Sequence, residues 1–236
     1  MVHSDNQGLV LPPFVAQTQF VIIPIIAKKD NAKELTDKCH ELAGQLRAAD
    51  LRVAVDDTEK NPGFKFNNWE LKGTPVRIEL GPKDFKKESV FCAIRHSGEK
   101  FSAKWENLAQ EMKELLPKIH DQMYEKAKNA RSDHMKNVDN WADFMSALGD
   151  RNVCLADWCD TKDCEIKIKD QSKEESIAAM EAMNEEESAL TGSAKTLCIP
   201  YTMGRQAEKG KNPFKGKKCF YCGADAKVTA LWGRSY

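Results

Sequence analysis

The chain has 236 residues, in which 36 Lys and Arg are balanced by 36 Asp and Glu, and 41% of the residues are hydrophobic. This length suits one large domain or two modest ones, and the hydrophobic fraction is sufficient for a folded core. A net charge of zero argues against a uniformly basic nucleic-acid-binding protein, although it does not say how the charges are distributed.

No segment is long and apolar enough to predict a membrane span. The longest candidate, residues 20–27, is short and contains Pro24, whereas a span needs roughly 20 apolar residues. Residues 1–6 lack the basic and apolar stretches of a secretory signal. We therefore expect a cytoplasmic protein without membrane contacts, whose eight cysteines are thiols or metal ligands and not disulfides.

Strand-like and helix-like patterns alternate between residues 15 and 104. The apolar run at 19–26 predicts a strand buried on both faces, and the patterns at 51–55, 75–80 and 89–94 predict three more strands. Within residues 31–50 the apolar side chains recur at helical spacing (Leu35, Cys39, Leu42 and Leu46) and predict a helix. This alternation predicts an α/β sheet.

The second half of the chain has a different composition. Residues 105–135 have a helical apolar stripe that Pro117 interrupts, and 139–148 predict a shorter helix, so 105–150 is interpreted as a helical connection. Residues 151–236 hold six of the eight cysteines and predict a second domain. Within it, the Glu-rich, Ala-rich and Met-rich segment 171–195 is interpreted as an exposed, acidic helical insertion.

Four of these cysteines have a spacing that suits a metal ion. Cys219 and Cys222 form a C-x2-C knuckle in which Gly223 allows backbone N–H groups to turn toward the sulfurs. Cys159 and Cys164 provide a looser second pair. Four thiolates without an open coordination position predict structural zinc and not a catalytic ion.

The alternative interpretation is that these four are ordinary buried thiols. Two further cysteines are candidates by number only. Cys154 and Cys198 lie in short apolar segments that resemble strands, where cysteine acts as a small hydrophobic residue. We leave both out of the predicted metal site.

Residues 61–73 are predicted to form a loop with an unusual composition. Aromatic and basic residues interleave there (Phe64, Phe66 and Trp69 with Lys65 and Lys72), and the following strand carries Arg77 and Glu79. Aromatic rings stack on unpaired bases, while Arg and carboxylates bind base edges, so the segment is a candidate for reading single-stranded RNA. The alternative is that the rings belong to the core and the lysines to a solvated face.

Residues 62–84, PGFKFNNWELKGTPVRIELGPKD, closely resemble the anticodon-binding domain of prolyl-tRNA synthetases of the eukaryotic and archaeal type. Residues 2–13 resemble the segment that follows class II motif 3 in those enzymes, and 233–236 resemble their C-terminus. The resemblance runs in order over the whole chain. It implies a remnant of the post-motif-3 segment at 1–16, a mixed-sheet α/β anticodon-binding domain at 17–104, and a smaller α/β zinc-binding domain at 151–236.

The resemblance also assigns roles to individual residues. The positions that contact the anticodon in the family fall on Phe66, Glu70, Arg77, Lys83, Asp84 and Lys100. Proline anticodons carry two guanines. The resemblance therefore implies that Arg77 binds guanine acceptors, that Glu70 and Asp84 accept from guanine N–H groups, that Phe66 stacks on a base, and that the two lysines meet phosphate or base oxygens.

The family's zinc ligands fall on Cys159, Cys164, Cys219 and Cys222, and the terminal carboxylate of Tyr236 resembles one that packs toward the catalytic domain. Two departures lie in the N-terminal segment: Ser4 replaces a common glycine, and Phe14 replaces a basic residue. Both belong to the segment that would pack on the catalytic domain.

The resemblance implies that this chain is part of a class II proline–tRNA ligase. Family members bind ATP and Mg²⁺ in an upstream catalytic domain, and the chain begins after its motif 3. We therefore expect the chain to bind tRNA(Pro) but not DNA, and to be inactive alone. ATP binding and homodimer formation are expected only for the full-length enzyme. The alternative is a freestanding tRNA-binding or regulatory protein built from the same modules.

The neutral total is a cancellation between segments of opposite sign. Residues 56–104 carry ten basic and eight acidic residues, and 195–236 carry nine basic and two acidic residues. Residues 171–190 carry six Glu and one Lys, which offsets most of that excess. The zero net charge therefore does not exclude RNA binding.

Overall fold

The computed structural model describes residues 3–26, 32–183, 192–201 and 214–234. The chain divides into two compact units, residues 1–127 and 128–236. The division falls within the segment that the sequence suggests as a helical connection. None of the helices in the described ranges is long and apolar enough to cross a membrane.

The first unit is a mixed α/β domain. Its elements in chain order are β1 (Ser4–Asp5), β2 (Gly8–Leu9), β3 (Phe20–Pro24), α1 (Ala32–Ala48), β4 (Val53–Val55), α2 (Pro62–Leu71), β5 (Val76–Leu80), α3 (Pro82–Lys86), β6 (Ser89–Ile94), β7 (Lys100–Lys104), a 3₁₀ turn (Trp105–Asn107) and α4 (Leu108–Asp133), which continues into the second unit. The predicted mixed-sheet α/β class is confirmed.

Five of these strands form one sheet in the order β4-β3-β5-β6-β7. β3 is parallel to β4 and β5, whereas β5, β6 and β7 are joined antiparallel. All five residues of β3 are buried, which confirms the prediction from its continuous apolar run. β7 was not predicted, because in Lys100–Lys104 only Ala103 is buried and the segment has no apolar pattern.

The core of the first unit lies on one face of this sheet. Leu35, Cys39, Leu42 and Leu46 of α1 are buried there, as their spacing predicts. α4 adds Leu108, Met112, Leu116 and Ile119 to the same cluster. The apolar stripe on α4 continues past Pro117, because this residue lies on the exposed side of the helix. Proline has no N–H for the backbone carbonyl one turn earlier, and on this side of the helix that carbonyl can bind water instead.

The prediction of a loop at residues 61–73 is wrong, because Pro62–Leu71 is a helix, α2. The side chain of Asn61 caps it by accepting a hydrogen bond from the Phe64 N–H at 2.8 Å, and Pro62 occupies the first turn, where its missing N–H costs nothing. An Asn-Pro pair is a helix-start signal. It was missed because α2 lacks an apolar stripe, its one buried residue being Lys65.

The N-terminal segment packs on this unit. β1 and β2 form a small antiparallel hairpin that contacts α2. Two glycines allow the close approach: a Cβ on Gly8 (φ +133°) would lie 2.5 Å from Leu71 Cα, and a Cβ on Gly73 (φ +72°) would lie 2.6 Å from Leu9 Cβ. The segment expected to face a catalytic domain therefore also has a partner within this unit.

The second unit is a smaller mixed α/β domain. After the end of α4 it contains β8 (Met135–Asn137), α5 (Trp141–Gly149), β9 (Val153–Trp158), α6 (Lys162–Met183), β10 (Ala194–Cys198) and β11 (Val228–Arg234). Its four-stranded sheet has the order β10-β11-β9-β8, with only β8 and β9 parallel. The aromatic rings of Phe144, Phe220 and Trp232 pack together beside this sheet.

The segment predicted as an acidic insertion begins inside α6. Residues 171–183 are helical, and Lys173, Glu174 and Glu175 are exposed, but one side of the helix is buried. Ser172 and Ser176 are buried, and their hydroxyls bind the N–H of Ala194 at 2.9 Å and the guanidinium of Arg234 at 2.6 Å. This part of α6 therefore packs on the domain; residues 184–191 lie outside the described ranges.

Candidate functional site

The face of the first sheet opposite the main core carries a row of aligned side chains that includes two cations. Successive residues of a strand point to opposite faces, so the cross-strand register decides which side chains are neighbours. Val21, Arg77, Ala93 and Lys100 are aligned across β3, β5, β6 and β7. This row forms the floor of a cleft.

Helix α2 provides one wall of the cleft with Phe66, Trp69 and Glu70. The cleft has a volume of about 160 Å³ and is also lined by Arg77 and Lys100. Two aromatic rings, a carboxylate and several cations thus meet in one concavity of a size that admits part of a nucleobase. Four of the six predicted RNA-binding residues lie here together.

The guanidinium of Arg77 is held in the cleft by two carboxylates and an aromatic ring. Its Nη1 donates to Glu70 Oε1 at 2.6 Å and its Nε donates to Glu79 Oε1 at 2.9 Å. Its Cζ lies 3.9 Å from the centroid of the Phe66 ring. The side chain is 13% exposed, so these contacts fix the guanidinium while leaving part of it open to the cleft.

The remaining two predicted RNA-binding residues lie elsewhere. Lys83 and Asp84 belong to α3, which follows the end of β5, and neither lines the cleft. Lys83 is exposed, and Asp84 Oδ2 accepts a hydrogen bond from the Gly81 N–H at 3.3 Å, which caps α3. A ligand that meets all six residues must extend from the cleft past the end of β5.

Glu79 does not line the cleft, and what sequence reasoning missed is its hydrogen bond to the Arg77 Nε. This residue lies two positions after Arg77 on the same strand, and such spacing places both side chains on one face. The shared face was visible in the sequence, but the bond to Nε also depends on the side-chain conformation that Arg77 adopts in the folded domain.

Arg95 also lines the cleft, but its bonds point to a structural task. Its Nη1 and Nη2 donate to the two carboxylate oxygens of Asp5 at 2.8 and 2.6 Å. These hydrogen bonds lower the pKa of Asp5 to about 2, and a hydrogen bond from the Gln7 N–H makes the next largest contribution. The pair ties the N-terminal hairpin to the turn between β6 and β7.

A buried charge pair holds α2 against the sheet. Lys65 Nζ donates to the backbone carbonyl of Asp56 at 2.9 Å and lies 3.9 Å from its Oδ1. Trp69 Nε1 donates to Asp56 Oδ2 at 2.7 Å, and the Thr58 hydroxyl donates to Oδ1 at 2.6 Å. Lys65 and Trp69 thus orient the helix that carries Phe66 and Glu70.

The alternative interpretation of the α2 segment, rings in the core and lysines on a solvated face, is wrong at two residues. Lys65 is not on a solvated face, because it is 3% exposed, and Phe64 is not in the core, because it is 49% exposed. The ammonium of Lys72 lies 4.4 Å from the centroid of the Trp69 ring. Part of the aromatic and basic alternation therefore anchors the helix, through Lys65 and Trp69.

Four cysteines converge in the second unit. The sulfurs of Cys159, Cys164, Cys219 and Cys222 all lie within 4.8 Å of one another, and could hold a metal ion. The Cys164–Cys219 and Cys159–Cys222 pairs are both 3.8 Å apart. Tetrahedral ligands at a Zn–S distance of about 2.3 Å lie roughly 3.8 Å apart, so the donor set fits zinc in size and chemistry.

Three chain segments position these sulfurs. Cys159 follows β9, Cys164 lies in the first turn of α6, and the knuckle carries Cys219 and Cys222. Burial raises the pKa of the Cys164 thiol, and its cysteine neighbours raise it further. Burial also opposes ionisation of Cys219, but backbone N–H groups of Cys222 and Tyr221 outweigh it and lower that pKa.

The remaining candidates lie apart from this cluster. Cys154 is buried in β9, where its thiol faces the Phe144 carbonyl at 3.9 Å, and Cys198 is exposed in β10. Neither belongs to the metal-binding group found in the described ranges, as the sequence predicts. Tyr236 lies outside the described residues.

Comparisons with known proteins agree with this organisation. Residues 19–115 match the family model described as the anticodon binding domain, and residues 141–236 match that of the prolyl-tRNA synthetase C-terminal domain. Together these matches cover both units with the corresponding domains. The chain belongs to the prolyl-tRNA synthetase family. It contains the family's anticodon-binding domain followed by its C-terminal domain.

Individual relatives match over the whole chain. It is 40% identical to a putative proline–tRNA ligase of Schizosaccharomyces pombe, 38% identical to the cytoplasmic proline–tRNA ligase of Arabidopsis thaliana, and 35% identical to the proline–tRNA ligase of Thermococcus kodakarensis. It covers 33%, 41% and 44% of these relatives. The chain thus spans less than half of their length and corresponds to the C-terminal part of a prolyl-tRNA synthetase.

Proposed function

We propose that this chain is the tRNA-recognition part of a proline–tRNA ligase, and that it binds tRNA(Pro) through the guanines of the anticodon. The observation that carries the proposal is the Arg77 guanidinium, held by two carboxylates over the Phe66 ring in a cleft on the open face of the sheet. The names of the relatives supply the amino acid, since all three are proline–tRNA ligases.

The chemistry of the cleft suits guanine. Arginine donates two parallel hydrogen bonds to the O6 and N7 acceptors of guanine, which no other base presents together. Arg77 donates two of its five N–H groups to carboxylates, and the other three can donate to a base. Glu70 has a second oxygen for a guanine N–H group, and Lys100 at the cleft rim suits a phosphate or base oxygen.

The outer positions extend the proposed contact. Lys83 and Asp84 lie past the end of β5, and they would meet a neighbouring nucleotide. One face of Phe66 is covered by Arg77, so stacking on this ring is restricted to its other face. We expect single-stranded RNA of the anticodon loop to run from the cleft toward α3.

The four-cysteine cluster is proposed to bind one structural Zn²⁺. Cys159, Cys164, Cys219 and Cys222 supply four thiolates at the right separation, and the ion would join the knuckle to the start of α6. Zinc bound by four thiolates cross-links chain segments and has no position for a reacting water.

The activity of the whole ligase is a further proposal. We propose that full-length relatives of this chain attach proline to tRNA with ATP and Mg²⁺ as cytoplasmic homodimers, and that the Tyr236 carboxylate faces their catalytic domain. The isolated chain is expected to be inactive, since both of its family matches are to domains that follow the catalytic part. Proline-dependent exchange of pyrophosphate into ATP should be absent, and measurable exchange would contradict this.

Binding to RNA tests the main proposal. The 236-residue chain should bind an anticodon stem-loop of tRNA(Pro) more tightly than stem-loops in which either guanine is replaced by adenine. Arg77→Ala should weaken cognate binding by about 1–3 kcal/mol and relax discrimination at one of the guanines. Lys113→Ala, at an exposed position of α4, is the control for lost positive charge. An equal loss for all RNAs would make Arg77 a phosphate contact and refute base reading.

A further inference from the structure

We propose that Glu79 is a positioning residue for base recognition: it sets the orientation of the Arg77 guanidinium and so determines how strongly guanine is preferred. The inference rests on the proposed function of the cleft, and it assigns a task to a residue outside the set that the family resemblance implied. Glu79 does not line the cleft. Its influence on RNA would therefore pass through Arg77.

The contacts around Arg77 explain why Glu79 is needed. Phe66 fixes the distance of the guanidinium above the ring, but stacking alone does not fix the Arg77 side-chain torsions that slide and turn the guanidinium over the ring. Glu70 binds the distal end at Nη1, and Glu79 binds the proximal end at Nε. Bonds at both ends restrict those torsions, whereas a bond at Nη1 alone would leave the proximal end of the guanidinium able to shift.

Glu79 itself is well placed to act as a rigid anchor. It lies on β5 between β3 and β6, paired with Ile23 and Phe91, and its side chain is 18% exposed. Glu70, in contrast, is 37% exposed and lies on α2. The sheet thus supplies the fixed reference, and the helix supplies the second carboxylate.

Electrostatics predict how removal of Glu79 changes the affinity for cognate and for non-cognate RNA. A carboxylate close to an RNA site repels phosphates, so a carboxylate that contributes only its charge weakens the binding of every RNA. Removing Glu79 should therefore leave binding of non-cognate RNA unchanged or slightly tighter. If Glu79 positions Arg77, the same change lowers the preference for guanine. A fold defect would weaken both.

The test is a double-mutant cycle on the full 236-residue chain. We compare Glu79→Ala, Arg77→Ala and the double variant for binding to the tRNA(Pro) anticodon stem-loop and to stem-loops with adenine at either guanine. Glu79→Ala should lower the ratio of cognate to non-cognate affinity by about 5-fold or more, a sizeable part of the value of a bidentate base contact. In the Arg77→Ala background the same change should alter the ratio by less than about 2-fold.

Two further variants complete the design. Glu79→Gln keeps an oxygen that can accept from Nε, so it should restore part of the lost discrimination. Glu111→Ala removes an equal charge from α4, on the other side of the sheet, and should leave the ratio unchanged. Thermal unfolding by circular dichroism checks that each variant folds.

Several outcomes would overturn the inference. Independent losses from Glu79→Ala and Arg77→Ala would mean that Glu79 contacts the RNA directly. A Glu79→Ala ratio equal to that of Glu111→Ala would mean that Arg77 is positioned without it. If Arg77→Ala itself leaves the preference for guanine intact, the proposed function of the cleft fails together with the inference. The two preceding outcomes overturn only the inference about Glu79.

Discussion

The buried pair of Lys65 and Asp56 gives a sharp prediction about stability. In Asp56→Asn the carboxylate becomes neutral while its shape is kept. The Lys65 ammonium, 3% exposed, then keeps only the backbone carbonyl of residue 56 as a partner at 2.9 Å. Loss of one partner of a buried pair costs about 3–5 kcal/mol, because the other charge stays buried without compensation.

The reverse change should cost less. Lys65→Met removes the ammonium and keeps most of the apolar stem. Asp56 then still accepts hydrogen bonds from Trp69 and from Thr58, and it is 10% exposed. The loss is then that of an ordinary hydrogen bond to a charged group, about 1.5–3 kcal/mol. The double variant should be more stable than Asp56→Asn alone, since it leaves no buried ammonium.

The assay must separate the two units. Urea unfolding followed by pulsed hydrogen exchange and mass spectrometry reports peptides from α2 independently of peptides from the second unit. Unfolding of the second unit is the internal control, and it should not change. A double variant less stable than Asp56→Asn, or equal costs for the two single changes, would refute the idea that the uncompensated ammonium dominates.

The same carboxylate predicts an acid dependence. Burial opposes the charge of Asp56, but hydrogen bonds from Thr58 and Trp69, with the charge of Lys65, outweigh it and lower the pKa below its ordinary value of 3.8. A lowered pKa in the folded state stabilises the fold above pH 3.8, and this contribution is lost as the pH falls through the folded pKa. Asp56→Asn should remove this part of the acid sensitivity.

Two other predictions concern the metal and the N-terminal hairpin. Purified protein should contain about one zinc ion per chain; Cys219→Ser should lower this content and destabilise the second unit, whereas Cys198→Ser should not, and a stable metal-free protein would contradict the site. By NMR titration the Asp5 carboxyl should ionise near pH 2, so that the hairpin contact is present above pH 3.8 and lost on acidification toward 2. Arg95→Ala should return the Asp5 pKa toward 3.8, and an unchanged value would refute the assigned cause.

Much of the fold could be predicted because some elements carry their own periodicity. The stripe on α1 and the continuous apolar run of β3 identified a helix and a central strand. α2 and β7 were missed for a common reason. Each buries a single residue, Lys65 in α2 and Ala103 in β7, so neither has a hydrophobic pattern that predicts its secondary structure. Their presence depends on the Asn61 cap and on hydrogen bonds to β6.

Cysteine spacing identified two local pairs and predicted one ion bound by both, and the family resemblance fell on the same four residues. The structure pairs the sulfurs across the chain instead: Cys164 lies 3.8 Å from Cys219, and Cys159 lies 3.8 Å from Cys222, over separations of 55 and 63 residues. Local spacing defines which thiols can share an ion within a turn. Only the packing of α6 against the knuckle decides that the two pairs face each other.

The amino-acid sequence by itself determined the family, the order of the two domains and the residue types at the proposed RNA site. It also showed that the zero net charge conceals basic and acidic segments of opposite sign. The tertiary structure decided which of those charges act together. Strand register and the anchoring of α2 bring Glu70, Arg77 and Glu79 within hydrogen-bonding distance. Periodicity along a chain reports which face a residue occupies, whereas the distance between two charges depends on how separate elements pack.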